Sequence, residues 1–285
     1  MTKLMFIFSI FIFFINYSYA HQALGKIEYD ERGLPLINVL IDKQPHKTML
    51  DTGSSQGLHL YEKSLSKIIT NKNYNAKKEK PHKTSDLNGN IKVVQAWTLQ
   101  NLKVSEVMFS NVQVVGFKPW GLSIGGKLPD SEVVGLGLFD KHIIHMDFKN
   151  HFLELLSGLP NNINSWTAFS LQKSSSGLIV KASTGEHNLS LILDTGASHS
   201  FIFSDTLPQK TELYGCNRID PQASKEECDT AQLVLIDSNE KRKTEFAIVI
   251  DAPPFEDFDG VLGMKFLQGH ETILDLSTNT LYINR

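Results

Sequence analysis

The chain has 285 residues, 41% of them hydrophobic, with 28 Lys and Arg against 31 Asp and Glu for a formal net charge of −3. That length allows two modest cores, and the slight acidity argues against a polyanionic partner such as nucleic acid. Two cysteines are too few for a small disulfide-built scaffold, and no stretch after residue 20 is apolar enough to span a bilayer.

Residues 1–20 read as a secretory signal peptide. Lys3 supplies the positive end, residues 4–15 the apolar run, and Ser18 and Ala20 the small residues before a cut. An uncleaved N-terminal anchor is the other reading of the same run. Cleavage leaves 265 residues at a net charge of −4, beginning at His21, in the periplasm or outside the cell. Residues 36–41, 91–94, 112–115, 177–180, 233–236 and 246–250 are short, apolar and rich in β-branched side chains, so they are predicted strands. Asn88-Gly89 just before Ile91 signals a tight hairpin turn, and Asp237-Ser238-Asn239 does the same in the second half. Helical signal is thin: a turn or two over 62–69, and again over 137–140. Residues 66–83 interleave six lysines with asparagine and read as a solvated surface loop. The turn-rich segment 157–162 separates a first lobe, 21–160, from a second, 161–285. The expectation is an all-β chain of two lobes.

The triplet Asp51-Thr52-Gly53 returns as Asp194-Thr195-Gly196, each ending an apolar run. Ser54 follows the first copy and Ala197 the second. Each copy is followed later by an apolar-apolar-Gly segment, Val133-Val134-Gly135 and Val261-Leu262-Gly263. A shift of 128 residues superposes those segments and continues without a gap through Met146-Asp147-Phe148 and Leu274-Asp275-Leu276. The triplets themselves stand 143 apart, so the first half carries about 15 extra residues between its triplet and its Val133-Val134-Gly135. One such triplet is a turn signal and little more. Two in register imply a duplicated unit with one carboxylate per half. A pair of carboxylates that meets across a pseudo-twofold can share a proton and activate a water. Gly53 and Gly196 would let backbone approach them closely.

His142, His145 and His151 lie close in sequence, but their spacing matches no zinc motif, and no metal site is expected. Cys216 and Cys228 share a polar loop. In an oxidising compartment they are expected to pair, a short-loop bridge worth on the order of 3 kcal/mol; otherwise they are two free surface thiols.

Asp51-Thr52-Gly53-Ser54-Ser55 and Asp194-Thr195-Gly196-Ala197-Ser198, with their apolar-Gly segments, resemble the aspartic peptidases of the pepsin and retropepsin clan, in particular the small bacterial aspartyl proteases. The resemblance covers most of the mature chain. It implies β-barrel-like lobes, with Asp51 and Asp194 at the floor of a cleft between them. It implies that Thr52 and Thr195 cross-link the two loops, and that Ser54 offers its hydroxyl to the neighbouring carboxylate. With Ala197 lacking that donor, Asp51 is expected to take the charged role and Asp194 to hold the proton. Leu87, Asn88, Gly89 and Asn90 resemble the tip of a retropepsin flap. No Tyr lies between Lys80 and Trp97, where pepsin-type enzymes carry one, so the chain looks more like a fused retropepsin dimer. The implied activity is endopeptidase action on peptide or protein, by a monomer, without a cofactor. A peptide- or partner-binding module without turnover is the alternative on the same fold.

Overall fold

The computed structural model describes residues 21–85, 91–118, 130–140, 142–252, 255 and 257–284. The predicted signal peptide, 1–20, and the predicted flap tip, Leu87, Asn88, Gly89 and Asn90, lie outside the described residues. The first half runs β1 (His21–Tyr29), β2 (Pro35–Ile41), β3 (Gln44–Asp51), β4 (Leu58–Leu60) and α1 (Glu62–Thr70). It continues with β5 (Lys77–Lys78), β6 (His82–Ser85), β7 (Ile91–Val94), β8 (Ala96–Val104), β9 (Val107–Gly116), β10 (Glu132–Gly135), β11 (Ile143–Asp147) and β12 (Phe152–Leu156). The second half runs β13 (Thr167–Lys173), β14 (Leu178–Thr184), β15 (His187–Leu193), β16 (Phe201–Phe203) and β17 (Leu213–Gly215). After these come β18 (Asp229–Ile236), β19 (Arg242–Ile250), β20 (Gly260–Leu262), α2 (Met264–Leu267), β21 (Glu271–Asp275) and β22 (Thr280–Asn284).

Alternation builds the walls. In β2, Ile37, Val39 and Ile41 point into the core while Asn38 and Leu40 face out. β2 reaches β3 through a two-residue turn in which Asp42 and Lys43 both take positive φ, the geometry that matches strand twist. The equivalent turn in the second half joins β14 to β15 at Gly185-Glu186, 143 residues on. The same repeat governs the strands beyond each triplet. β10 runs parallel to β3 and antiparallel to β4; β20 runs parallel to β15 and antiparallel to β16. The short 3-10 turn Leu136–Phe139 and α2 lie 128 residues apart at the same point of each lobe.

One six-stranded sheet, β1-β12-β11-β21-β22-β13, spans both lobes. At its centre β11 meets β21 antiparallel, with His145 opposite Ile273. These are the two positions that the 128-residue repeat equates, so the pseudo-twofold axis passes between them. Its inner face joins the main core through Ile144, Met146, Leu153 and Leu274.

The predicted loop over 66–83 is ordered structure instead. α1 runs to Thr70 and buries Leu65 and Ile68, β5 pairs with β8, and β6 pairs with β7 as a two-stranded hairpin. The apolar pair at i and i+3 was hidden among lysines whose charged ends stay in water.

Candidate active site

Each triplet forms a turn held by its own carboxylate. Oδ1 of Asp51 accepts the amides of Gly53 at 2.8 Å and Ser54 at 3.1 Å; Oδ1 of Asp194 accepts the amide of Gly196 at 2.7 Å. This is the Asx-type bonding that short acidic side chains make to backbone one turn ahead. The apolar-Gly strands clamp the turns from behind. Gly135 pairs with Asp51, and its missing Cβ would lie 2.3 Å from the Gln56 carbonyl oxygen and 2.7 Å from Ser54 Oγ. At Gly263 the same atom would lie 2.5 Å from the His199 carbonyl oxygen and 2.8 Å from that of Ala197. Neither position has room for a side chain.

The two turns are tied to each other across the lobes. Thr52 Oγ1 donates to the Leu193 carbonyl at 2.8 Å and accepts the Thr195 amide at 3.0 Å. Thr195 Oγ1 donates to the Leu50 carbonyl at 2.6 Å and accepts the Thr52 amide at 3.0 Å. Both threonines are buried, and the four bonds are mutual, as a twofold requires. The glycines finish the contact. A Cβ on Gly53 would sit 2.6 Å from the carboxyl carbon of Asp194, and one on Gly196 2.9 Å from that of Asp51. Each glycine therefore leaves space for the opposite lobe's carboxylate.

Asp51 and Asp194 stand together, since a Cβ on Gly196 would lie 2.9 Å from the carboxyl carbon of Asp51 and 3.0 Å from Oδ1 of Asp194, and two acids so close hold one proton between them. Burial raises both above the ordinary carboxylate range. Asp51 is raised the further, because after burial the charge and the hydrogen bond of Asp194 both oppose its ionisation. Asp194 is raised by burial but relieved by the bond from Asp51 and by the amides of Gly196, Gly53 and Ala197. Backbone amides meet both carboxyls, those of Gly53 and Ser54 on Asp51 and that of Gly196 on Asp194. One contact that the resemblance implied is not made. The Ser54 hydroxyl bonds His59 Nε2 at 2.7 Å, and what Ser54 gives Asp51 is its amide.

Sequence reasoning passed over His59, a lone histidine in the apolar run Leu58-His59-Leu60. The polar residue at every second place of a buried strand was the available signal. The structure also brings Cys216 and Cys228 together in a disulfide with Cα atoms 5.1 Å apart, in the second lobe and apart from the carboxyl pair. His145 is buried between Glu154 at 2.7 Å and Glu271 at 3.0 Å. His145, Asp147 and Glu271 offer atoms within 4.8 Å of one another. Those atoms are already used: both ring nitrogens face carboxylates, and Asp147 accepts the amides of Lys149 and Asn150 and the Asn150 side chain. The cluster is a hydrogen-bonded staple between β11, β12 and β21 across the lobes.

No family model and no curated protein sequence matches the chain. Solved structures do. The aspartic proteinase from Irpex lacteus is 13% identical over 93% of this chain and 97% of its own, with a TM-score of 0.52. Basic 7S globulin from soybean is 10% identical over 94% of this chain and 95% of its own, with a TM-score of 0.55. One name is that of a proteinase and the other that of a globulin, so the likeness is one of fold: the chain is a two-lobed, all-β protein of the pepsin-like fold.

Proposed function

We propose that the chain is an aspartic-type endopeptidase, with Asp51 and Asp194 as its catalytic pair. The observation that carries this reading is the meeting of two carboxyls from different lobes, each facing a glycine of the other lobe that leaves it room. A water bound between them loses its proton to the charged member of the pair as its oxygen attacks the peptide carbonyl carbon. The protonated member gives its proton to the carbonyl oxygen, so the tetrahedral intermediate is an uncharged gem-diol. On collapse, the second carboxyl takes a diol proton back, the first passes its proton to the leaving nitrogen, and the C–N bond breaks to acid and amine. No acyl-enzyme forms. The single charge of the pair is met by fixed backbone amides of Gly53, Ser54 and Gly196, which lowers reorganisation during the reaction.

A peptide-binding module would gain nothing from sharing a proton between two buried carboxyls, which makes turnover the better reading. The raised carboxyls support activity at mildly acidic pH rather than only in strong acid. The predicted signal peptide and the Cys216–Cys228 bridge both support folding in an oxidising, extracytoplasmic compartment. The test is cleavage of a mixed peptide library by the purified chain lacking residues 1–20, with and without a statine-type transition-state inhibitor. Inhibitor-sensitive products support the proposal; a library left intact across pH 3–7 would sink it.

A further inference from the structure

We propose that the outer face of the β6–β7 ribbon docks on an anionic lipid surface, with Ile91 and Val93 among the headgroups and Lys77, Lys78, Lys80 and Lys83 around them. The inference goes beyond the peptidase reading and does not depend on it.

The register of the ribbon carries it. β6 and β7 pair only with each other, Lys83 opposite Val93 and His82 opposite Val94. Directly opposed residues of an antiparallel pair share a face, and successive residues alternate. Val94 is buried, and His82 is half-buried with its ring 3.5 Å from the buried Gln56, so their face is turned to the body of the lobe. Ile91, Val93 and Lys83 are on the other face. Ile91 is 70% exposed and Val93 52%. Among the described residues no other strand leaves two large apolar side chains in water on one face.

Positive charge surrounds the pair. From residue 62 to residue 94 the chain has eight lysines and three acids, against a formal net charge of −3 for the whole. Lys77, Lys78 and Lys80 lie on the segment that leads into β6 and are exposed, as is Lys83. Glu79 stands among them and reaches Lys77 at 3.5 Å. Exposed aliphatics beside lysines suit a bilayer interface: the apolar tips leave water, and the long lysine stems bring their charge to the phosphates. An acidic protein adding a strand to the ribbon is the poorer fit, because lysine along an exposed edge opposes strand addition. Met108 on β9 gives the contrast. It is 59% exposed, but Lys103 opposite it is paired with Glu106 at 2.8 Å, so that site has no surplus of positive charge.

The experiment is sedimentation of the purified chain lacking residues 1–20 with phosphatidylcholine vesicles, with and without about one-third phosphatidylglycerol. The chain should pellet with the anionic vesicles, stay in solution with the neutral ones, and be released by high salt. Lys80→Gln and Lys83→Gln should each weaken binding about fivefold. Ile91→Ser combined with Val93→Ser should weaken it about tenfold or more. Met108→Ser should leave it unchanged. These side chains are exposed, so the fold should tolerate every substitution. Full binding by the Ile91/Val93 double variant or by a Lys80/Lys83 double variant overturns the inference, and so does equal binding to neutral and anionic vesicles. Retention on polyglutamate without binding to vesicles overturns it as well, and makes an acidic protein the partner. The readout is sedimentation, not turnover, so failure here leaves the peptidase reading standing, and a chain that binds vesicles but cleaves no peptide sinks only that reading.

Discussion

The two lobes share a backbone and differ in what stands behind the carboxylate. Behind Asp51 lie Ser54, Gln56 and His59, and beyond them His82 and the His46–Glu132 pair. Behind Asp194 lie Ala197, the Ser198 hydroxyl paired with His199 at 3.1 Å, and an apolar cluster built on Ile179, Ile192, Phe201, Phe203 and Phe258, which Phe255 joins. The difference is sharp at one register position. Glu132 opens β10 opposite Thr48, whereas Gly260 opens β20 opposite Leu191, each 128 or 143 residues from its counterpart. Duplication preserved what geometry needs, the turns, the clamping glycines and the threonine cross-links. It left free the residues that set charge. A symmetric frame with asymmetric backing is how one of two like carboxyls is made the acid and the other the base.

The largest effects should come from breaking the symmetric part. Asp51→Asn and Asp194→Asn are each expected to lower peptide hydrolysis by about 10²–10⁴-fold, in a folded protein, since either removes half of the proton exchange. Turnover near wild type in either variant would mean that the pair is not the catalytic one. Stability should move the other way. A carboxyl raised in the folded state binds more protons than it does unfolded, so stability falls as pH rises from the unfolded value towards the folded one. Asp51→Asn removes that loss. Its thermal midpoint should rise relative to wild type at pH 7 and coincide with it near pH 3.

Next comes the cross-link. Thr52→Ala leaves the Leu193 carbonyl and the Thr195 amide without partners; Thr195→Ala does the same to the Leu50 carbonyl and the Thr52 amide. Each orphaned buried group costs roughly 1–3 kcal/mol. The two variants should lose similar amounts in urea unfolding, and Thr→Ser should recover most of it. A large inequality between them would break the twofold account of the floor.

Smaller effects sharpen the asymmetry. Burial raises Glu132, but the His46 hydrogen bond at 2.5 Å, the Tyr61 amide and the His46 charge outweigh it and hold the carboxyl below its usual range. The stability this gives is present above the unfolded pKa and is lost as pH falls through the folded one. Glu132→Gln should therefore cost about 1–2 kcal/mol at pH 7 and almost nothing near pH 3. A cost independent of pH would assign the loss to packing. Ala197→Ser is the mildest change. No His stands on β16 to take the new hydroxyl, so it should reach Asp194 and favour its charged form. The upper or the lower limb of the pH–rate profile then moves to lower pH by about one unit or less. Movement of the acid limb marks Asp194 as the charged member, movement of the basic limb marks it as the proton holder, and a profile that does not move shows that the hydroxyl does not reach the pair.

Much of this site could be read from the chain. The paired triplets named Asp51, Asp194 and the threonines, and the ungapped 128-residue repeat put Met146-Asp147 in register with Leu274-Asp275, which end β11 and β21. Asn88-Gly89 lies between β6 and β7, which form the two arms of a hairpin. Other features stayed hidden for physical reasons. Asp42-Lys43 makes a positive-φ hairpin turn without the glycine that usually marks one. His145 looked like one of three scattered histidines because its acidic partners come from β12 and β21, nine and 126 residues away.

The sequence by itself determined the duplicated frame and the identity of the paired acids, because local turn chemistry and strand alternation are written in neighbouring residues. Only the tertiary structure decided what reaches each carboxylate. Which amides bond it and where the Ser54 hydroxyl goes are fixed when β4, β10 and the opposite lobe's glycine close around the turn. Electrostatic preference within a buried pair is a property of distances between chain-distant groups, which residue order does not encode.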